Sequence, residues 1–351
     1  MSRKEDLSSF SSEREIARLK GELKKSKGET TRVERLLRAE HEHVRELEAM
    51  LSRFTALHPG VTPVPDWISQ ASRKTTDRTA TGLLMLSDLH LDEVVDLDEM
   101  SGMNSFNRQI AWRRMQKLGN NVEYVVTKLV SYSWDGLVVA LNGDILTGDI
   151  HEELARTNEA PTPASIKWWV PKVASLLKHL ADVFGKVHVV CTDGNHDRSY
   201  KKIPAKKRAE SSFAWIFYNW LADVCDSDER ITFAISTAPS QVFSIYGHTF
   251  HQVHGDGFRS AGGVGGIYPS MLKYIARMDQ MWAAQGRVID THLFGHWHQY
   301  KVDERFIVNG SLKGYDEYAR SGGFGFEPPR QAFIAVTPSR GVDLPKAIYC
   351  E

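Results

Sequence analysis

Five short runs in this 351-residue chain bring carboxylates, an amide and imidazoles together: SDLH at 87–90, NGD at 142–144, DGNHD at 193–197, QVHGD at 252–256 and GHWH at 295–298. They supply Asp88, His90, Asp144, Asn195, His254, His296 and His298, which amount to two carboxylates, one amide oxygen and four imidazoles. Hard oxygens mixed with borderline nitrogens suit manganese, iron or zinc better than calcium. The set is large enough for two divalent ions if one carboxylate bridges them. Side chains alternate along an extended segment, so the spacing within DLH and HWH predicts that both members of each pair share a face. A glycine ahead of a polar residue lets the backbone turn close beside such a site. His151, His179, His188, His248 and His292 read as structural, with His251 held in reserve as a substitute for His254. Asp149 and Asp256 read as turn residues or supports rather than ligands.

Residues this far apart in sequence meet only if a fold gathers them. LLMLS (83–87), LVVALN (137–142) and VHVVCT (187–192) are strand-length apolar runs, and amphipathic helical stretches fill the intervals around 107–131 and 165–183. Further on, QVFSIYG, HTFHQVHG, THLFGH, RFIVNGS and QAFIAV read as successive strands, with one helix near 270–285. The order predicts an α/β (α+β) domain over 83–351, a two-sheet β-sandwich with helices outside. In open α/β sheets the carboxyl ends of neighbouring strands converge on one crevice. The chemistry-bearing runs all sit at such ends.

Ahead of that domain, Ile16, Leu19, Leu23, Val33, Leu37, Val44, Leu47, Leu51 and Phe54 follow an alternating three-four spacing, interrupted by Ser26, Thr30 and Glu40. This is a heptad seam, and it predicts a helical coiled coil over 1–57 that makes the protein a homo-oligomer. The alternative is one long amphipathic helix folded back on its own domain. Residues 58–82, opening with HPGVTPVP, read as a linker in which Trp67 and Ile68 dock on the domain surface.

Taken in order, DLH, GD, GNHD, HG and GHWH at strand ends resemble the calcineurin-like metallophosphoesterases over roughly residues 83–312. The resemblance implies that Asp88, His90 and His298 hold one metal ion, that Asn195, His254 and His296 hold the other, and that Asp144 bridges them. It also implies a non-ligand role for His196, facing the phosphoryl group or protonating the leaving oxygen, with Asp197 orienting it. Two cations polarise phosphoryl oxygens and generate hydroxide, and an imidazole handles the departing alkoxide. The chain departs from the family pattern three positions after the bridging aspartate, where Thr147 replaces an acid or amide. That puts the support of His196 in question.

The substrate must be read from local charge, since one fold hosts several activities. Arg198, Lys201, Lys202, Lys206, Lys207 and Arg208 follow GNHD with no acid among residues 198–209, which fits a phosphate backbone. Arg113, Arg114 and Lys117, with Phe106 and Trp112, are candidates for a second contact surface, and Tyr200 and Trp297 are aromatic neighbours of the site. The glycine-rich GDGFRSAGGVGGIYPS is expected at the rim of the cleft. GNHD is the form typical of nucleases and phosphodiesterases in the superfamily, and the chain is similar to the nuclease subunits of double-strand-break repair complexes. The expected activity is therefore metal-dependent hydrolysis of a DNA phosphodiester, with manganese favoured. The alternatives are a phosphoesterase of nucleotides or cyclic nucleotides, and a coiled-coil scaffold with a structural metal site.

Formal net charge is zero, so a nucleic acid must be met by a local patch rather than by overall charge. Cys191, Cys225 and Cys350 are scattered and odd in number, which suits free thiols in a reducing compartment. The N-terminus lacks an apolar signal core and no stretch approaches a membrane span. The expected location is the cytoplasm, with no membrane partner.

Overall fold

The computed structural model describes residues 4–57, 62–70, 78–202, 204–259 and 266–351, and within the first helix the side chains of 15–39, 41–42 and 45. The chain divides into two compact units, Met1–Pro59 and Gly60–Glu351.

The first unit is one helix, α1 (Lys4–Leu57). Its described seam residues Ile16, Leu19, Leu23, Val33 and Leu37 are all exposed. Thr30 turns its hydroxyl back onto the Ser26 carbonyl and adds nothing to the apolar seam. Glu40, Val44, Leu47, Leu51 and Phe54 lie outside the described side chains.

The second unit runs α2 (Asp66–Ser69), β1 (Thr79–Leu86), α3 (Arg108–Tyr124), β2 (Ser133–Asn142), α4 (Glu152–Thr157), α5 (Thr162–Phe184), β3 (Val187–Thr192), α6 (Phe213–Cys225) and β4 (Ile231–Ile235). It continues with β5 (Ser240–Ile245), β6 (His248–Val253), α7 (Tyr268–Ala283), β7 (Thr291–Phe294), β8 (Lys301–Val302), β9 (Phe306–Val308), α8 (Glu317–Ser321), β10 (Arg330–Thr337) and β11 (Gly341–Tyr349). The first strand thus begins inside the stretch expected to be linker, and Ile68 of α2 is buried in the core, as the docking expectation required.

Two sheets result, one ordered β11-β10-β1-β2-β3-β4 and the other β5-β6-β7-β9-β8. Strands β1 to β4 are mutually parallel, as are β6, β7 and β9. QAFIAV, placed in sequence among the second group of strands, pairs instead with β1 of the first sheet. Because β1 to β3 are covered on both faces, they read as continuous apolar runs. Leu83, Met85, Val138 and Val190 point between the sheets against Phe243, Phe250, Leu293 and Ile307. Their neighbours Leu84, Leu137, Val139 and Val189 pack under α3, α5 and α6. Helix α7 covers the outer face of the second sheet through Met271 and Ile275 against Phe294 and Phe306.

Buried amides tie the two sheets together where their parallel strands end. Asn142 donates to the Val253 carbonyl at 3.0 Å, Gln252 to the Leu141 carbonyl at 2.9 Å, and Asn309 to Ser87 Oγ at 2.9 Å. A buried amide left without a partner is costly, so this set holds the two sheets in one relative register. No helix among the described residues is long and apolar enough to cross a membrane. The three cysteines are free and buried.

Candidate metal centre

The ends of β1, β2 and β3 from one sheet and of β6 and β7 from the other deliver the candidate ligands to one place. Asp88, His90 and His298 offer ligand atoms within 4.8 Å of one another, and Asp144, His254 and His296 do the same. Asn195 Oδ1 joins the second group, 3.1 Å from His254 Nε2. Asp144 faces both groups through a single oxygen: Oδ2 lies 2.9 Å from His254 Nε2 and 4.0 Å from His90 Nε2. Its other oxygen accepts the His196 backbone N–H at 2.7 Å.

The backbone that presents these groups is not extended, which corrects the expectation for DLH and HWH. Asp88, His90, Asp144, His296 and His298 all have positive φ, between 43° and 67°. A left-handed conformation at a non-glycine residue costs of order 1–3 kcal/mol and persists only where its surroundings enforce it. His296 and His298 fall in different ligand groups. The loops also touch: a Cβ on Gly194 would fall 2.2 Å from Asp144 N and Oδ1, so only glycine lets the β3 loop lie against the β2 loop.

The donor set fits divalent cations. His90 and His298 bring their Nε2 atoms to 3.0 Å, an arrangement that two lone pairs tolerate only with a proton or a cation between them. Burial works against charge on His254, yet Asp144 and then Asp88 push its pKa up to about 10. His90 and His296 are held down to about 4, chiefly by burial, and so present neutral, metal-ligating nitrogens. His254 is oriented from the far side, where Nδ1 lies 2.8 Å from the Asn142 carbonyl, and His90 Nδ1 lies within ion-pair distance, 3.2 Å, of Glu93 Oε2.

His196 sits beside the ligands without joining them, its ring 4.7 Å from that of His90. Its Nδ1 donates to the Thr147 carbonyl at 3.0 Å, which leaves Nε2 uncommitted. The position flagged as a departure from the family pattern thus supports His196 through its backbone, whatever its side chain. Asp197 does not touch the His196 ring. It is fully buried and accepts the Leu146 and Gly194 N–H groups at 3.0 and 3.2 Å, so it shapes the loops rather than orienting the imidazole. Burial, with Asp144 adding to it, raises its pKa to about 7.

The six cations after GNHD divide into two kinds. Arg198 is turned onto the carbonyls of Asn195, Tyr200 and Lys201, and Arg208 is clamped between Asp193 and Asp256. Both arginines build the loop. Lys201, Lys202, Lys206 and Lys207 are exposed, with Lys201 reaching Glu152 at 3.6 Å. None of the six lines the cavity over the ligand groups. Arg114 and Phe106, expected on a second contact surface, are buried, and Arg114 holds the carbonyls of Leu312 and Lys313. His251 lies against His292 on the far side of the second sheet, away from the ligands. Residues 260–265 of the glycine-rich run lie outside the described residues, and Gly266 and Ile267, later in the same run, line the cavity.

Two features of the site differ from the sequence reading: His151, read there as structural, and Lys313, not singled out. His151 is exposed at the cavity, its ring 5.7 Å from that of His196. Lys313 is buried in the cavity wall, 2.7 Å from Glu93 and 2.5 Å from Asp316, and through Glu93 it reaches the ligand His90. The available signal was NGSLK after RFIV: another strand end closed by polar residues, like the other five.

No protein-family model matches the chain, and no curated protein matches it. Among solved structures it is similar to Vacuolar Protein Sorting 29 from Cryptosporidium parvum, at 13% identity and TM-score 0.30, over 74% of this chain and 86% of that one. A second solved chain matches at 11% identity and TM-score 0.31, over 77% of this chain and 100% of that one.

Proposed function

We propose that the protein is a phosphoesterase working with two divalent metal ions, manganese favoured, and that it hydrolyses the phosphodiester bonds of DNA. One observation supports this above the rest: two adjoining ligand groups share the Asp144 carboxylate beside an imidazole, His196, that belongs to neither. Asp88, His90 and His298 would hold one ion, and His254, His296 and Asn195 the other, with Asp144 between them. Such ions supply charge to the phosphoryl oxygens and lower the pKa of water. The chain's residues do the rest. His196, fixed by the Thr147 carbonyl, keeps Nε2 directed away from its support and available to the leaving oxygen. A scaffold whose metal was purely structural would have no use for that group. The exposed lysines at 201, 202, 206 and 207 offer a patch for a polyanion. The exposed stripe on α1 is proposed to pair with a second copy of the chain.

A second reading, a phosphoesterase of nucleotides, is favoured by a cavity of about 780 Å³ over the ligand groups, the size of a small-molecule site. The test is a substrate panel with manganese: single-stranded, duplex and circular DNA beside nucleotides and a small phosphodiester. Expected is cleavage of DNA by the parent protein, lost with His196→Ala. If all DNA forms survive while a small ester is cleaved, the nuclease reading fails. An Asp144→Asn protein as active as its parent overturns the two-metal reading.

A further inference from the structure

Beyond the ligand groups, the cavity is walled by the segment between β9 and β10, where aromatic side chains stand in or toward water. Tyr318 is 77% exposed and Phe324 45% exposed, yet both line the cavity. Their rings are 6.2 Å apart and inclined at 31°, a shallow aromatic shelf. Flexibility does not explain the exposure, because the segment is firmly held. Asp316 Oδ1 accepts the Ala319 N–H at 2.7 Å at the start of α8, and the Phe324 N–H bonds to the Ala319 carbonyl at 2.9 Å. Tyr315 donates its hydroxyl to the Phe324 carbonyl, and the buried side chains of Asn104 and Arg114 grip the carbonyls just before the shelf. Exposed aromatic surface fixed beside a reactive centre marks a binding surface for a flat apolar group.

Charge narrows the occupant. Lys313 is the only lysine or arginine lining the cavity among the described residues, and it is spent between Glu93 and Asp316. Of the acids in the wall, Glu327 is paired with Arg330, and Glu317 accepts the Asp96 N–H. A polyphosphate chain would therefore find no free cation there. A single ester carrying a flat ring finds both a metal centre and a stacking surface.

We propose that the shelf is a nucleobase subsite: an unpaired base stacks on Tyr318 and Phe324 while its phosphodiester reaches the ligand groups. The substrate is then a single-stranded end or a short oligonucleotide, since a paired base has to leave its stack before its face can be covered. This rests on the phosphodiesterase reading and deepens it. Both rings are exposed enough that Tyr318→Ala and Phe324→Ala leave the core untouched.

The experiment compares a trinucleotide with its abasic counterpart on the manganese-loaded full chain, reading kcat and KM, and anisotropy of the labelled trinucleotide without turnover. Base stacking is worth enough that each alanine variant should raise KM and Kd for the trinucleotide about tenfold, with kcat little changed and the abasic substrate unaffected. Equal KM for trinucleotide and abasic analogue in the parent, or variants that leave KM and Kd unchanged, overturns the subsite. Absence of any hydrolysis overturns the phosphodiesterase reading instead. In that case, base-dependent binding lost in the variants still supports the shelf, and base-independent binding sinks it.

Discussion

Arg208→Met should unfold this protein more readily rather than blunt its grip on a substrate. Arg208 Nε lies 2.5 Å from Asp193 Oδ2, and its two terminal nitrogens meet Asp256 at 3.0 and 3.1 Å. The arginine side chain is 16% exposed and the two carboxylates 3% and 6%. At an effective dielectric constant near 20, two unit charges 3 Å apart attract by about 5–6 kcal/mol. Much of that attraction is offset by the cost of removing three charges from water. Deleting the arginine removes the attraction and leaves both carboxylates buried, so the net loss should be about 3–5 kcal/mol. Urea unfolding followed by circular dichroism at neutral pH measures it as a lowered midpoint at unchanged m. Adding Asp256→Asn to the methionine variant should recover part of the loss, because one stranded charge is gone. Arg208→Lys should recover less than its charge alone suggests, since an ammonium cannot bridge two carboxylates as a planar fork does. A methionine variant within about 1 kcal/mol of the parent would refute the reasoning, because that is what an exposed cation contributes. A steep salt-dependent loss of oligonucleotide affinity in such a stable variant would return Arg208 to the substrate surface.

Gly194→Ala should abolish binding of at least one metal ion by calorimetry, because the new Cβ would lie 2.2 Å from Asp144 N and Oδ1; two ions bound at parental affinity would contradict the close approach of the two loops. The buried pair His251 and His292, with Nδ1 atoms 2.9 Å apart, should make stability fall with acidification. His251 Nε2 is buried without a partner, and burial, with His292 adding to it, holds the ring down to about 3. The unfolded chain binds that proton near pH 6.5, so the stability is present above that pH and drains away as pH falls towards 3. For one such ring the loss is about 2 kcal/mol between pH 7 and pH 5. Urea midpoints across that range should decline more gently in His251→Gln; an identical decline would mean that other groups set the slope.

Much of the site was legible from local pattern. Strand-length apolar runs closed by Asp, Asn, His and Gly gave the ends of β1, β2 and β3, because a strand buried on both faces must be continuously apolar and its polar residues are displaced to its ends; β6 and β7 were read as strands closed by the same residue types. The α3, α5 and α7 helices followed from amphipathic spacing in the same way. QAFIAV was legible as a strand, but its place in the first sheet was not, since pairing partners are chosen by contacts remote in sequence.

What the amino-acid order determined alone was the inventory: which donors the chain owns, which strand ends carry them, and the run of cations behind GNHD. Tertiary structure decided their employment. It bent Asp88, His90, Asp144, His296 and His298 into left-handed backbone, spent Arg198 and Arg208 on the loop, and buried Lys313 between Glu93 and Asp316. The physical reason is range. Propensity and alternation act over a few residues, whereas coordination and ion pairing depend on distances of a few ångströms between segments such as Glu93 and Lys313, 220 positions apart in the chain.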